Sequence, residues 1–155
     1  MDDHRILDFS NLKTNTVIPD WFDKITSHNL MLAAGDGTSQ FEGRDGCNLK
    51  TMPESGWNIF CCPKNYTGHL LQVNIDYLKS KPDLEILLCL VDFTEYVEFT
   101  RFTKVFKGKI DKISSHDGRF WLPSFNVYNL LKPGGICYVY ETNNNRGQIV
   151  TPKGA

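Results

Sequence analysis

A chain of 155 residues with 41% hydrophobic, 23% charged and 12% aromatic residues has the make-up of one globular domain, which excludes a disordered or fibrous protein. Its formal net charge of -1 excludes loose electrostatic coating of nucleic acid but permits a local basic groove. No apolar run approaches the ~20 residues of a membrane span, and Met1-Asp2-Asp3-His4-Arg5 is not a secretion signal, so a cytoplasmic protein with no membrane contact is expected.

In chain order, residues 5–9 read as a short strand. Pro19 and Asp20 open a helix, with Asp20 as N-cap and Trp21 and Ile25 on a shared face. Residues 29–34 are apolar and end at Gly35-Asp36-Gly37, the pattern of a buried strand running into a turn. Residues 38–42, 46–52 and 57–61 read as three more strands, each bounded by Gly, Pro or Asp, and the four segments together predict a compact meander. From 69 to 80 the period changes: Leu71, Ile75 and Leu78 fall at i, i+4 and i+7, which predicts an amphipathic helix stopped by Lys81-Pro82-Asp83. Residues 85–92 are continuously apolar over a strand's length, as expected for the sheet centre, covered on both faces.

Beyond Asp92 the chain turns aromatic and basic. Residues 96–99, 105–109 and 118–122 read as strands, 125–131 as a short helix and 136–141 as a terminal strand. His116-Asp117-Gly118-Arg119 reads as a turn and Asn143-Asn144-Asn145-Arg146-Gly147 as a mobile end. The cysteines Cys47, Cys61, Cys62, Cys89 and Cys137 are odd in number and contain no Cys-x-x-Cys pair, so reduced thiols acting as small core residues are expected.

The chemistry-bearing pattern is Asp36 followed twelve residues later by Asn48-Leu49-Lys50. An acid, then polar-apolar-lysine on a strand, is an arrangement in which carboxylates hold Mg²⁺ and a lysine orients the attacking water. Asn48 offers an oxygen without charge where a second acid would stand, and Glu42 and Asp45 are close enough in sequence to supply the missing carboxylate.

This pattern, with the order helix, strands, helix, strand over residues 19–92, resembles the PD-(D/E)xK, or restriction-endonuclease-like, nuclease superfamily. The resemblance implies an α/β (α+β) single domain over 1–155: a mixed central sheet flanked by helices, with an αβββαβ core at 19–92 and a β-rich extension at 93–142. It implies Asp36, Asn48, Lys50 and Gln72 as catalytic residues and Asp36, Glu42 and Asp45 as ligands to Mg²⁺ or Mn²⁺. Asp20 or Asp23 would be the added helix acid.

A second region, residues 101–112, sets Arg101, Lys104, Lys107, Lys109 and Lys112 against the single acid Asp111 and interleaves Phe102 and Phe106. Such a stretch grips a phosphate backbone and stacks bases, or serves as an outer strand whose lysines block edge pairing. The expected activity is divalent-metal-dependent endonucleolytic hydrolysis of DNA, by a homodimer if both strands are cut. The alternative is a nuclease-like module without chemistry that binds nucleic acid or a partner protein.

Overall fold

The structure is a computed structural model that describes residues 3–11, 17–32, 56–64, 68–93, 95–116, 127–140 and 147–150. Its strands are β1 (Ile6–Asp8), β2 (Asn29–Leu32), β3 (Ile59–Cys62), β4 (Leu87–Leu90), β5 (Ile110–His116), β6 (Leu131–Tyr140) and β7 (Gly147–Val150). Two α-helices, α1 (Gly68–Ser80) and α2 (Tyr96–Phe106), and two 3₁₀ turns, Asp20–Lys24 and Val127–Leu130, complete the described elements. All seven strands join one sheet in the order β1-β4-β3-β2-β5-β6-β7. Every neighbouring pair from β1 to β6 is parallel, and β7 runs antiparallel along β6.

The strand sequences account for this. Ile59-Phe60-Cys61-Cys62 and Leu87-Leu88-Cys89-Leu90 are apolar and buried at every position, the signature of strands covered on both faces, which parallel sheets require. Alternate side chains divide between two cores. On one face Leu7, Leu30, Ile59, Cys61, Leu87, Cys89 and Ile113 meet Phe99, Phe102 and Phe106 of α2 and Phe22 of the first 3₁₀ turn. On the other, Met31, Phe60, Cys62, Leu88 and Leu90 meet Leu71, Ile75 and Leu78 of α1.

The placement of the helices follows from connection handedness. The step from β3 to β4 moves toward the β1 edge, while the step from β4 to β5 moves the opposite way, past β3 and β2. Right-handed crossovers in opposite directions put their helices on opposite faces, and α1 and α2 lie there.

Four expectations are corrected. The predicted meander would need antiparallel neighbours, but β2 pairs in parallel with β3 and with β5; residues 38–42 and 46–52 lie outside the described residues. The segment placed at the sheet centre, β4, sits between β1 and β3, and β2 is central with three strands on either side. Residues 96–99 and 105–109, expected as strands, belong largely to α2. Their aromatic and β-branched content favours strand, but Phe99, Phe102 and Phe106 repeat at i, i+3 and i+7 and form one buried helical stripe. Packing decided over propensity: Phe102 lies 4.6 Å from Phe106 and 5.2 Å edge-on from Phe9, ring centre to ring centre. Gly108, at φ 67°, ends the helix in the left-handed conformation. Asp20, expected as an N-cap, is instead the first residue of its 3₁₀ turn, with Pro19 in the cap position.

Arg5 ties the edge strand to α1. Its side chain is almost completely buried, and its guanidinium donates to the carbonyls of Leu78, Lys81 and Leu84 at 2.8, 2.7 and 2.9 Å and to Asp3 at 2.6 and 2.9 Å. One cation thus adds a second hydrogen bond to the Leu78 and Lys81 carbonyls, which also accept the Lys81 and Leu84 backbone N–H groups, takes up that of Leu84, and is itself neutralised by Asp3. Among the described residues no helix is long and apolar enough to cross a membrane. We predict that Arg5→Met, which keeps the stem and removes the donors, lowers the unfolding free energy by roughly 3 kcal/mol. Urea titration checks this; a loss below about 1 kcal/mol would show the cluster to be energetically idle.

Candidate functional site

Because β1 to β6 are parallel, their carboxyl ends share one edge of the sheet and their amino ends the other. The two edges differ in chemistry.

The amino edge is knitted shut. Asp111 accepts from the His28 backbone N–H at 2.8 Å and from Lys132 Nζ at 3.1 Å, joining the starts of β2, β5 and β6. His28 Nε2 donates to the Phe22 carbonyl at 2.7 Å, which leaves the buried Nδ1 facing Asp111 Oδ2 at 3.9 Å. Asn58 accepts from the Asn29 backbone N–H at 2.9 Å and donates to the Ser27 carbonyl at 2.7 Å, while Asn29 Nδ2 donates to the Gly56 carbonyl at 2.7 Å. Beside them β6 slips against β5, since Ile110 pairs with Leu131 but Lys112 pairs with Ile136. That irregularity depends on glycine: a Cβ at Gly135 would lie 3.0 Å from the Lys132 carbonyl oxygen and 3.1 Å from that of Asp111.

At the carboxyl edge the register aligns Leu32 of β2 with Cys61 of β3 and Ser115 of β5. Here the strand sequence reverses. From β2 the chain builds toward one side through β3 and β4, then crosses back to build the other side through β5 and β6. The carboxyl ends of β2 and β5 therefore flank a topological switch point, the place at which open parallel α/β sheets take ligands. The sequence that follows β2 is Ala33-Ala34-Gly35-Asp36-Gly37.

Further along this edge, Asp8 at the end of β1 accepts from Ser10 Oγ at 2.6 Å, from the Ser10 backbone N–H at 2.9 Å and from Lys64 Nζ at 3.0 Å. Lys64 stands two residues beyond β3. Burial alone would raise the Asp8 carboxyl's pKa, but the Ser10 and Lys64 hydrogen bonds outweigh it and hold the group below its ordinary value. Arg101 Nη1 donates to the Phe9 carbonyl at 2.6 Å, and Glu98 accepts the Asp92 backbone N–H at 3.0 Å.

Of the residues singled out in the sequence, Asp36, Glu42, Asp45, Asn48 and Lys50 lie outside the described residues. Gln72 is exposed on α1 and donates to Asp76 at 2.8 Å. Arg101 and Lys104 stand on α2, Lys107 and Lys109 around its end and Lys112 on β5, so the five cations do not line one strand, and Arg101 is committed to Phe9. His116 closes β5. Cys61, Cys62, Cys89 and Cys137 are free, buried core residues. Burial, with Cys89 close by, pushes the Cys61 thiol well above its usual range, and burial pushes Cys62 and Cys137 up to about 12. Thiols held neutral in this way are poor nucleophiles and metal ligands.

Sequence reasoning missed the Asp8–Lys64 pair and the switch point. The signal for the latter was present: unalternating apolar runs at 59–62 and 87–90 mark parallel strands.

No family model and no curated protein matches the chain. Among solved structures it is similar to a provisionally assigned S-adenosyl-L-methionine-dependent methyltransferase from Methanococcus maripaludis. The TM-score is 0.44 and the identity 14%, covering 76% of this chain and 49% of that one. The chain thus spans about half the length of that protein, and a likeness of this size shows no family.

The nuclease reading is overturned. The parallel pairing of β2 on both sides replaces the meander that carried it. Among the described residues no group of three or more His, Cys, Asp or Glu side chains could hold a metal ion. The PD-(D/E)xK resemblance, the DNA-cleaving activity, the nuclease-based DNA-binding assignment and the Mg²⁺ or Mn²⁺ cofactor are corrected accordingly.

The carboxyl groups give a pH prediction. The Arg5 hydrogen bond lowers the pKa of Asp3; at Asp8 and Asp111 burial pushes upward, but hydrogen bonds from Ser10 and Lys64, and from His28 and Lys132, bring the result below the ordinary 3.8. The stability they contribute is therefore present above the unfolded-state pKa and is lost as pH falls through the folded values. The urea midpoint should drop steeply below about pH 4, and Asp111→Asn should make that drop shallower. An equally steep drop in the variant would remove Asp111 from the account.

Proposed function

We propose that this protein binds a nucleoside-bearing small molecule in the crevice at the carboxyl ends of β2 and β5. The observation that supports the reading is the reversal of strand order at β2, because open parallel α/β sheets take their ligands at that point. Two further features agree. The sequence soon after β2 contains Gly35-Asp36-Gly37, and glycine, having no Cβ, lets the backbone come close to a ligand's polar groups. The opposite edge is occupied by its own hydrogen bonds between Asn29, Asn58, Ser27, His28 and Asp111, which leaves the carboxyl edge as the place for recognition. The reading is one of binding; a reaction on the bound molecule would be carried by groups around that crevice.

The test is a thermal-shift titration with S-adenosyl-L-methionine, which the similar methyltransferase's description specifies, and with NAD⁺, NADP⁺ and ATP. At a concentration about 100 times Kd, a ligand that binds only the folded state raises Tm by roughly 5–10 °C for a domain of this size. At least one of the four is expected to do so. Gly35→Val, a branched side chain at the first glycine after β2, should abolish that shift and leave the unliganded Tm nearly unchanged. No shift with any of the four, or a shift that survives Gly35→Val, contradicts the proposal.

A further inference from the structure

His28 stands just before β2 with one ring nitrogen paired and the other not. Nε2 lies 2.7 Å from the Phe22 carbonyl oxygen, an acceptor with no proton to give, so Nε2 carries the N–H. Nδ1 is then the bare nitrogen of the neutral ring. It is buried without a hydrogen-bond partner, the one such side-chain atom among the described residues, and it faces Asp111 Oδ2 at 3.9 Å. A lone pair held out of water against a carboxylate oxygen is unfavourable. A proton on Nδ1 turns the same contact into an attraction.

We infer that His28 takes up a second proton, on Nδ1, more readily in the folded protein than in the unfolded chain, and that this proton latches the start of β2 to β5. Two further neighbours favour the charged ring. The Phe22 ring lies 4.1 Å from the imidazole, centre to centre, at an interplanar angle of 31°, and an aromatic ring attracts a cation held over it at that distance. The Phe22 carbonyl also accepts more strongly from an imidazolium N–H than from a neutral one.

Two effects oppose the proton. Only 10% of the His28 side chain is exposed, and burial disfavours charge. Lys132 of β6 reaches the same Asp111 oxygen at 3.1 Å, but it is 38% exposed and water screens its charge. Asp20, Asp23 and Lys24 of the first 3₁₀ turn, Lys107 and Lys109 beyond α2, and Lys112 of β5 make no ion pair with His28. The facing charge is therefore the Asp111 carboxylate. A proton bound more readily in the folded state adds stability below the ordinary imidazole range, about pH 6.5, and that stability is lost as pH rises through the folded value. The latch lies at the amino ends of the two strands whose carboxyl ends flank the proposed binding site, and it does not depend on that reading.

The experiment follows the His28 ring nitrogens by ¹H–¹⁵N correlation in the full chain, native and in unfolding urea, between about pH 5 and pH 8.5. Nδ1 is expected to keep its proton to a higher pH in the native protein than in urea. The urea midpoint should fall between about pH 5.5 and pH 8, and the fall should be much smaller in His28→Gln and in Asp111→Asn, with circular dichroism reporting that both variants fold. Loss of the Nδ1 proton at the same or a lower pH in the native protein overturns the inference. So does a fall of equal size in His28→Gln. If that variant does not fold, the titration of the natural chain decides alone.

Discussion

The parallel pairing of β2 with β3 on one side and β5 on the other is the constraint from which the rest of the structure follows. Parallel neighbours cannot be joined by a tight turn; each needs a crossover of a dozen residues or more, and each crossover must pass over one face of the sheet. Helices α1 and α2 supply two of them. Their apolar stripes meet strands that carry apolar side chains on both faces, which explains why β3 and β4 are buried at every position. The same constraint gathers the carboxyl ends of β1 to β6 on one edge.

The two edges differ in their polar chemistry. Polar groups at the amino edge pair across elements: Asn29 with Asn58 and Gly56, Asp111 with the His28 backbone and Lys132, Arg5 with the carbonyls at the end of α1. Each such bond joins elements distant in sequence and would leave a costly orphan if broken. The carboxyl edge carries looser chemistry, in which the Asp8–Lys64 pair is partly exposed and exchangeable. The carboxylates that acid would neutralise, Asp3, Asp8 and Asp111, lie on both edges.

Much of the fold could be read from the residues. The amphipathic spacing of Leu71, Ile75 and Leu78 marked α1, the apolar run at 85–92 marked β4, and the strands read at 5–9 and 136–141 match β1 and the second half of β6, whereas β7 went unread. What the residues misled on was how the strands pair. Local pattern cannot distinguish a strand that turns back from one that waits for a crossover, so the glycine and aspartate turn signals after residue 34 suggested a meander. In α2, Val97, Thr100, Thr103 and Val105 have strand propensity, and the three phenylalanines at helical spacing outweighed it. The motif Asp36…Lys50 looked chemical because acids and lysine are common in turns and at edges; it drew its meaning from the meander and loses that meaning with it.

The account stands or falls on the neighbours of β2, and a nuclear Overhauser map of the labelled protein measures them directly. It predicts amide-to-Hα and amide-to-amide contacts linking Leu30 to Ile59 and to Ile113, in the parallel register observed, without short Hα–Hα contacts between those strands. Antiparallel strands bring alternate Cα pairs to about 4.5 Å and give strong Hα–Hα contacts. Such contacts between residues 29–32 and residues 38–42 would contradict the account and restore the meander.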